Sequence, residues 1–193
     1  MALTLSLGFT ACDVETDEEP GGTAIQDLCG NWEVSVSQVD ENNELVYAPE
    51  DLFGIIDVPL YTYNTAANST TEMWLDDRGE FWDFKFRVAL NQAAGTFAAV
   101  DIPYNPEMQE YADSIAAGTP IIDVDDDGNP FIVEPEKATI SDAKILLGKG
   151  HNLHGVPTDS ISFYITFTDD AYAARYGYAK HHVSGTRYSG FTE

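Results

Sequence analysis

One stretch of the sequence carries carboxylates at a spacing that suits a metal ion. Asp123, Asp125 and Asp127 alternate along the chain, Gly128 follows them, and Glu134 closes the stretch. This is the order D-x-[DN]-x-[DN]-G-x5-E of calcium-binding loops. Carboxylate oxygens are the ligands that hard cations such as Ca2+ prefer. The sequence therefore contains one candidate calcium site.

The residues around this stretch favour another interpretation. Calcium loops of this kind lie between two helices, whereas Ile121-Ile122 and the segment 131–133 are β-like. Pro130 also lacks an N–H where such a loop makes a short β contact. The run 125–129, rich in Asp and ending in Gly-Asn, is a hairpin turn signal. We favour a hairpin that needs no metal, with calcium as the alternative and no other cofactor.

Residues that could catalyse hydrolysis form no recognisable motif. His151, His154, His181 and His182 are the four histidines, and none lies in HExxH, nor is there a Gly-x-Ser-x-Gly turn. Zinc at His151 and His154 would need a third ligand from elsewhere in the chain. The residues themselves assign no catalytic group, so an enzyme is the less favoured interpretation.

Cys12 ends an apolar run and follows the small residues Thr10-Ala11. This arrangement resembles a bacterial lipoprotein signal, in which the cysteine is acylated, begins the mature chain and anchors it to a membrane. Residues 1–11 would then be a truncated signal peptide, and the acidic residues 12–22 a tether. Because the run lacks the Lys or Arg of an export signal, an ordinary apolar N-terminus is the alternative. The remaining residues 23–193 suffice for one domain.

The charge of the chain is strongly acidic and excludes some partners. Asp and Glu number 33 against nine Lys and Arg, for a net charge of -24. Such a surface repels phosphate backbones and anionic head groups, so nucleic acid is not an expected partner. After residue 12, no stretch of about 20 apolar residues predicts a transmembrane helix. We expect contact with a membrane only through the anchor.

Hydrophobic residues alternate with polar ones in short segments, which indicates β-strands. In the segment 81–90, the side chains expected to face one way are Trp82, Phe84, Phe86 and Val88. The segment 160–167 alternates in the same way, and only 107–116 has the pattern of a helix. We therefore predict an all-β fold, an antiparallel barrel or sandwich of about eight to ten strands with at most one short helix.

Two short motifs near the ends of this region narrow the fold. Gly30-Asn31-Trp32 and Gly185-Thr186-Arg187 resemble the first and last strands of calycin barrels such as lipocalins. That resemblance implies that Arg187 packs over Trp32 in a cation–π contact at the seam of the barrel. The alternative is that Trp32 is an ordinary core residue and Arg187 a surface charge.

Longer stretches resemble a narrower group. Residues 21–32, 159–164 and 183–191 are similar to Bacteroidetes lipoproteins known as lipid-binding putative hydrolases. The acidic residues after Cys12 also resemble the surface-export signal of such lipoproteins. The resemblance implies a calycin-like barrel on an exported lipoprotein of the outer membrane or cell surface, otherwise of the periplasm. It implies no catalytic residue in this chain.

An eight-stranded barrel is wide enough to be filled by side chains or to hold one small ligand. The candidate ligand-binding residues are the large inward side chains and two tyrosines nearer the mouth: Trp82, Phe84, Phe86, Phe163, Ile165, Phe167, Tyr61 and Tyr63. For any one of them, simple core packing is the alternative. We therefore expect a membrane-anchored protein that binds a small hydrophobic ligand such as a lipid. The alternatives are an accessory interaction module with a filled core and a hydrolase acting at the barrel mouth.

Overall fold

Alternating apolar residues place most of the chain in β-strands. The computed structural model describes residues 22–152, 155–188 and 190. Its strands are β1 (Gly30–Val39), β2 (Leu45–Tyr47), β3 (Val58–Asn64), β4 (Glu72–Asp76), β5 (Lys85–Asn91), β6 (Thr96–Pro103), β7 (Ile122–Val124), β8 (Pro130–Ile132), β9 (Lys137–His151), β10 (Pro157–Phe167) and β11 (Lys180–Arg187). Its helices are α1 (Pro106–Ala116) and α2 (Ala171–Tyr176), with 3-10 turns at Gln26–Leu28 and Gln92–Ala94.

Within these residues, eight strands close into an antiparallel barrel. The hydrogen-bonded order is β11-β10-β9-β6-β5-β4-β3-β1, and β11 pairs with β1 to complete the ring. β2 pairs with the end of β1, while β7 and β8 form a separate hairpin. The expected all-β, lipocalin-like barrel is confirmed. A closed ring leaves no unpaired edge among its strands, which removes a route to edge-to-edge aggregation.

The barrel interior is filled by alternate residues of each strand. On β1 the inward series is Trp32, Val34 and Val36, none more than 3% exposed. On β10 every second side chain from Ile161 to Phe167 is buried in the same way. Period-two alternation puts these residues on one face because successive side chains of a strand point to opposite sides.

The connections at the two ends of the barrel differ in length. One end, which we call the floor, carries the Gln26–Leu28 turn and the short connections 65–71 and 92–95, and it is also where β9 ends and β10 begins. The other end, which we call the mouth, carries the longer connections 40–57, 77–84, 104–136 and 168–179. In proteins, the segments that move or open are mostly long irregular connections. The mouth is therefore the end suited to admit a ligand.

The strand expected at 81–90 begins instead at Lys85. Asp77 Oδ2 accepts hydrogen bonds from the backbone N–H groups of Phe81, Trp82 and Asp83, at 3.2, 2.7 and 3.1 Å. Because these N–H groups are bound to a side chain, they cannot join the ladder of β4. The residues 77–84 therefore form a folded connection at the mouth, and the inward alternation starts at Phe84.

The helix expected at 107–116 is present as α1, and it is the one helix longer than two turns in the described part of the chain. Asn105 caps it, with its Oδ1 accepting from Met108 N at 3.0 Å. The six-residue α2, capped by Asp170, was not predicted. No helix in the described ranges is both long and apolar enough to cross a membrane.

Several expectations fall outside the described residues. Cys12, the signal peptide proposed for residues 1–11 and the tether up to residue 21 all precede Gly22, the first described residue. His154 also lies outside the described ranges.

Candidate functional site

The floor is sealed by Arg187. Its guanidinium carbon lies 4.7 Å from the centroid of the Trp32 ring. Its Nε donates to Asp159 Oδ2 at 2.7 Å, its Nη2 donates to Asp27 O at 2.7 Å, and its Nη1 donates to Cys29 O. These contacts join β11 to the start of β1. The floor is therefore held together by the hydrogen bonds of one charged side chain.

Two glycines make this arrangement possible. A Cβ at Gly30 would collide with the Arg187 guanidinium, and a Cβ at Gly185 would collide with the carbonyl of Glu33 on the neighbouring strand. Gly185 therefore requires glycine because neighbouring backbone approaches closely, whereas a side chain at position 30 would displace the Arg187 guanidinium from its place at the floor. These close approaches explain why glycine stands in the Gly-x-Trp and Gly-Thr-Arg motifs of this chain.

Five of the candidate ligand-binding residues lie in the barrel interior. Phe84, Phe86, Phe163, Ile165 and Phe167 are all buried, at no more than 7% exposure. Their rings pack on one another, with centroids 5.7 Å apart for Phe84 and Phe86. The interior is thus a continuous aromatic and aliphatic core in this closed form.

Trp82 lies at the mouth, on the 77–84 connection, and is only partly buried. Its ring stacks on Phe167, with the two centroids 4.6 Å apart and the planes 5° from parallel. Its Nε1 donates to Asp169 Oδ1 at 3.2 Å. Trp82 therefore covers the top of the core and connects two of the mouth segments.

Tyr61 and Tyr63 lie on the outer face of β3, because the inward residues of that strand are Leu60 and Thr62. Arg78 lies over Tyr61 with 4.9 Å between its guanidinium carbon and the ring centroid. Tyr63 Oη donates to Asp76 Oδ2 at 2.9 Å. These tyrosines thus lie in a row of aromatic and basic side chains on the outer surface of the barrel, not in the interior.

The mouth holds a histidine that is completely buried. His181, on β11, is 0% exposed, and its Nε2 lies 2.9 Å from Asp170 Oδ2. Burial raises the pKa of Asp170, but hydrogen bonds from His181 and Tyr178 outweigh it and hold that pKa below the ordinary value. The ionised Asp170 carboxylate therefore accepts a hydrogen bond from His181 Nε2–H. This bond fixes the ring and leaves Nδ1 as its second polar atom.

A second buried polar side chain lies opposite His181. Gln38 is 1% exposed and pairs directly with His181 across β1 and β11. Among the described residues, Gln38 Oε1, Gln38 Nε2 and His181 Nδ1 have no hydrogen-bond partner. An unpaired buried polar atom costs about 1–3 kcal/mol. These atoms are thus the least satisfied part of the interior.

Sequence reasoning missed this pair. Gln38 continues the inward series Trp32, Val34, Val36, so a polar residue at an inward position was the available signal. What the sequence could not supply was the register that places Gln38 against His181.

Aromatic rings cover the buried pair from the mouth side. The ring of His181 lies 4.9 Å from Phe81, 5.1 Å from Tyr178, 5.5 Å from Trp82 and 6.2 Å from Phe53, centroid to centroid. We call these four residues the lid. They come from the connections 40–57, 77–84 and 168–179, so the lid is built from three separate segments and from no barrel strand.

Two carboxylates, the buried Asp77 and the exposed Asp169, organise the lid. Asp77 holds the 77–84 connection through backbone N–H groups, and burial raises its pKa despite those hydrogen bonds. Asp169 accepts from Tyr104 Oη at 2.8 Å as well as from Trp82. Burial and the Asp169 carboxylate both raise the pKa of Tyr104, which keeps the phenol protonated as a donor. The lid is therefore attached to the barrel rim by hydrogen bonds to acidic side chains.

Asp123, Asp125 and Asp127 lie on the β7–β8 hairpin that the favoured interpretation predicted, and Glu134 follows β8. Val124 pairs with Pro130, and Asp125 Oδ1 accepts from Asp127 N at 3.0 Å and Asn129 N at 2.8 Å. The Asp125 carboxylate thus stabilises the turn. Within the described ranges, no three His, Cys, Asp or Glu side chains are grouped as metal ligands, and calcium binding by Asp123, Asp125, Asp127 and Glu134 stays a prediction.

One serine–histidine contact is present on the outside of the barrel. Ser162 Oγ lies 3.0 Å from His182 Nε2, and burial lowers the pKa of His182, which favours a neutral ring that can accept the hydroxyl proton. His181 and His182 are neighbours on β11 but face opposite sides of the wall. The contact is therefore separated from the aromatic interior and cannot act on a ligand held there.

Comparison with known proteins decides the family. The sequence profile of the family described as "lipid-binding putative hydrolase" matches residues 17–192. The chain belongs to this family. A search of curated proteins found no match. For a member of the lipid-binding putative hydrolase family, the aromatic barrel interior is the part of this structure with the chemistry for a lipid, because it is large, apolar and closed from water.

Proposed function

We propose that this protein is an exported, membrane-anchored binding protein that takes up a hydrophobic ligand, such as a lipid, through the barrel mouth. The observation that carries the proposal is the difference between the two ends. Arg187 seals the floor with three hydrogen bonds, whereas the mouth is covered by aromatic side chains on long connections. A ligand can therefore reach the interior from one end only.

Uptake requires the lid to move, because the interior is filled in the closed form. Trp82 is the point at which this can start, since it is partly exposed and its stacking partner Phe167 belongs to the wall. When Phe81 and Trp82 move outward, their rings leave an apolar surface formed by Phe84 and Phe167. The apolar chain of a ligand would replace the lid rings on that surface.

A fluorescent fatty-acid probe and a neutral hydrophobic probe test this function on the purified full chain. We expect saturable binding with one site, accompanied by a change in tryptophan fluorescence, because Trp82 leaves Phe167. Trp82→Phe keeps the stacking surface and serves as the matched control for assigning that signal. If neither probe binds saturably, the proposal of a ligand-binding barrel is wrong.

Anchoring through Cys12 is a separate part of the proposal. It is supported by the small residues before Cys12 and by the acidic composition of 12–22. The described domain begins at Gly22, and the nearby Ala24 bonds to Asn68 and Gln92 of the floor connections, so an anchor at Cys12 would be attached to the chain on the floor side of the barrel. Labelling with a clickable fatty acid in a bacterium that acylates lipoproteins tests this: the wild-type chain should be labelled and Cys12→Ser should not.

A second candidate function, as an interaction module, is favoured by the β7–β8 hairpin. Ile122 and Ile132 pair with each other across this hairpin, and its large apolar residues are exposed to solvent: Ile121, Ile122, Val124, Phe131 and Ile132. An exposed apolar arm with the acidic turn 125–127 at its tip fits a protein partner that has an apolar groove bordered by basic residues.

Native gel electrophoresis of detergent-solubilised membranes tests this second candidate. A complex held by the arm should be lost in the double variant Ile122→Asn/Ile132→Asn. The variant Val100→Asn, which changes an exposed residue of β6, is the matched control. Migration at the mass of the single chain in all three proteins would contradict an interaction role for the arm.

A further inference from the structure

The buried pair Gln38 and His181 is out of place in an otherwise apolar interior. The inward residues that precede Gln38 on β1 are Trp32, Val34 and Val36, and a leucine or methionine at position 38 would continue that series without an unpaired polar atom. Directly opposite residues on antiparallel strands have Cβ atoms about 5 Å apart and share one face. Gln38 and His181 therefore present their polar atoms to the same small region.

We propose that Gln38 and His181 bind the uncharged polar head group of an amphiphile whose apolar chain lies among the interior aromatic side chains. The inference rests on the proposed ligand-binding function and specifies the class of ligand: a long-chain primary amide or alcohol. The Gln38 carboxamide supplies one donor group and one acceptor, and His181 Nδ1 supplies a further polar atom. An amide or hydroxyl head group satisfies both types of atom.

The arrangement of His181 distinguishes this site from an accidental polar pair. Its Nε2 is already held by Asp170, which is also the cap of α2 and the acceptor of Tyr178 Oη. The ring is thus fixed by the same residue that orders one lid segment. A head group bound at His181 Nδ1 would therefore contact the same imidazole ring that holds Asp170 and its lid segment in place.

Charge favours an uncharged head group over a carboxylate. In the described part of the chain, no buried side chain is Lys or Arg, and Arg187 is committed to Asp159 at the floor. The ionisable groups that bond to the lid or to His181 are the carboxylates Asp77, Asp169 and Asp170, whereas Arg78 and Arg175 of the mouth segments are exposed to solvent. Even a protonated His181 would be neutralised by Asp170, so a fatty-acid anion would enter without a counter-charge.

Three ligands of equal chain length test the inference directly. Isothermal titration of the purified full chain at neutral pH, after removal of co-purifying lipid, would compare dodecanamide, dodecanol and dodecanoate. We expect dodecanamide and dodecanol to bind at least roughly tenfold more tightly than dodecanoate, since only the first two pair with Gln38 without burying a charge. The three share one alkyl chain, so the comparison isolates the head group.

Gln38→Leu removes the polar group while keeping its approximate size, and Gln38→Met is the second variant if leucine does not fit. We expect either variant to fold, to melt at the same or a higher temperature, and to lose roughly tenfold in affinity for dodecanamide with little change for dodecanoate. Ser37→Ala, on the neighbouring outward position of β1, is the matched control and should bind as the wild type does.

The outcomes separate this inference from the function on which it rests. If dodecanoate binds as tightly as dodecanamide, or if Gln38→Leu and Gln38→Met keep full affinity for dodecanamide, the head-group assignment is overturned while lipid binding stands. If none of the three ligands and no hydrophobic probe binds, the inference and the proposed function both fail.

Discussion

His181 and Asp170 are joined by a hydrogen bond of 2.9 Å, although one belongs to the barrel wall and the other to the segment that covers it. His181 lies on β11, whose register with β1 closes the ring. Asp170 caps α2 and also accepts from Tyr178 Oη at 3.0 Å. The Asp170 carboxylate therefore joins the mouth segment 168–179 to the strand that closes the ring.

The first prediction concerns the pH dependence of this contact. The pKa of Asp170 is lowered from its ordinary value of 3.8, so its ionised form stabilises the folded state. That contribution is complete above the ordinary value and is lost as the pH falls through the lowered pKa. Relative to Asp170→Asn, the wild type should keep a constant advantage in free energy of unfolding near neutral pH and lose it under strongly acidic conditions.

Urea unfolding of both proteins at a series of pH values measures this difference. Burial raises the pKa of Asp77, so its ionisation acts in the opposite direction, with stability lost as the pH rises. Asp77 is present in both proteins, and its effect cancels in the comparison. An advantage that grows on acidification would contradict the role assigned to Asp170.

The second prediction concerns the floor. Arg187→Ala removes three hydrogen bonds and a cation–π contact, and should lower the free energy of unfolding by about 3 kcal/mol. Arg187→Lys keeps the charge but not the planar fork, and should recover less than half of the loss. Thermal melting followed by circular dichroism measures both variants.

Arg175→Ala is the control for Arg187, because Arg175 is exposed and its guanidinium lies over the ring of Tyr176 in its own helix. We expect it to change stability by less than about 0.5 kcal/mol. Equal effects of Arg175→Ala and Arg187→Ala would show that the floor network does not hold the seam.

The third prediction separates the core from the lid. Phe163 is 0% exposed, so Phe163→Ala should cost about 3–5 kcal/mol. Trp82→Ala should cost less than about half as much, because Trp82 is partly exposed and its contacts lie on the mouth side. In stopped-flow binding of a hydrophobic probe, Trp82→Ala should associate faster than the wild type. Association that is unchanged or slower would contradict uptake past Trp82.

The fourth prediction concerns the β7–β8 hairpin. Because Asp125 already accepts the N–H groups of its own turn, we expect millimolar Ca2+ to leave the melting temperature unchanged relative to Mg2+. Differential scanning calorimetry measures this. A rise specific to Ca2+ that Asp125→Ala abolishes would instead establish the calcium site and overturn the metal-free interpretation of the hairpin.

Local alternation was sufficient to predict most of the barrel. The inward rows of β1 and β10 follow directly from the spacing of their apolar residues. The start of β5 could not be predicted, since the carboxylate of Asp77 takes the N–H groups that would have extended the strand. The short helix α2 was missed because six residues carry too little periodicity.

The candidate site was less accessible to sequence reasoning than the fold. The inward positions of Phe86 and Phe163 are local properties of their strands. By contrast, the pairing of Gln38 with His181 depends on the register between the first and last strands. Side chains brought together by a register of such long range leave no local pattern in the sequence.

The seam between β1 and β11 also has a consequence for the order of folding. The strand that pairs with Trp32 contains Arg187, so the ring cannot close until residues 180–187 have been synthesised. Contacts between such distant segments form slowly, because loop closure precedes any gain from pairing. Until β11 pairs with β1, most of the aromatic residues of the nascent chain have no closed barrel around them. The pairing of β11 is therefore the step that buries them.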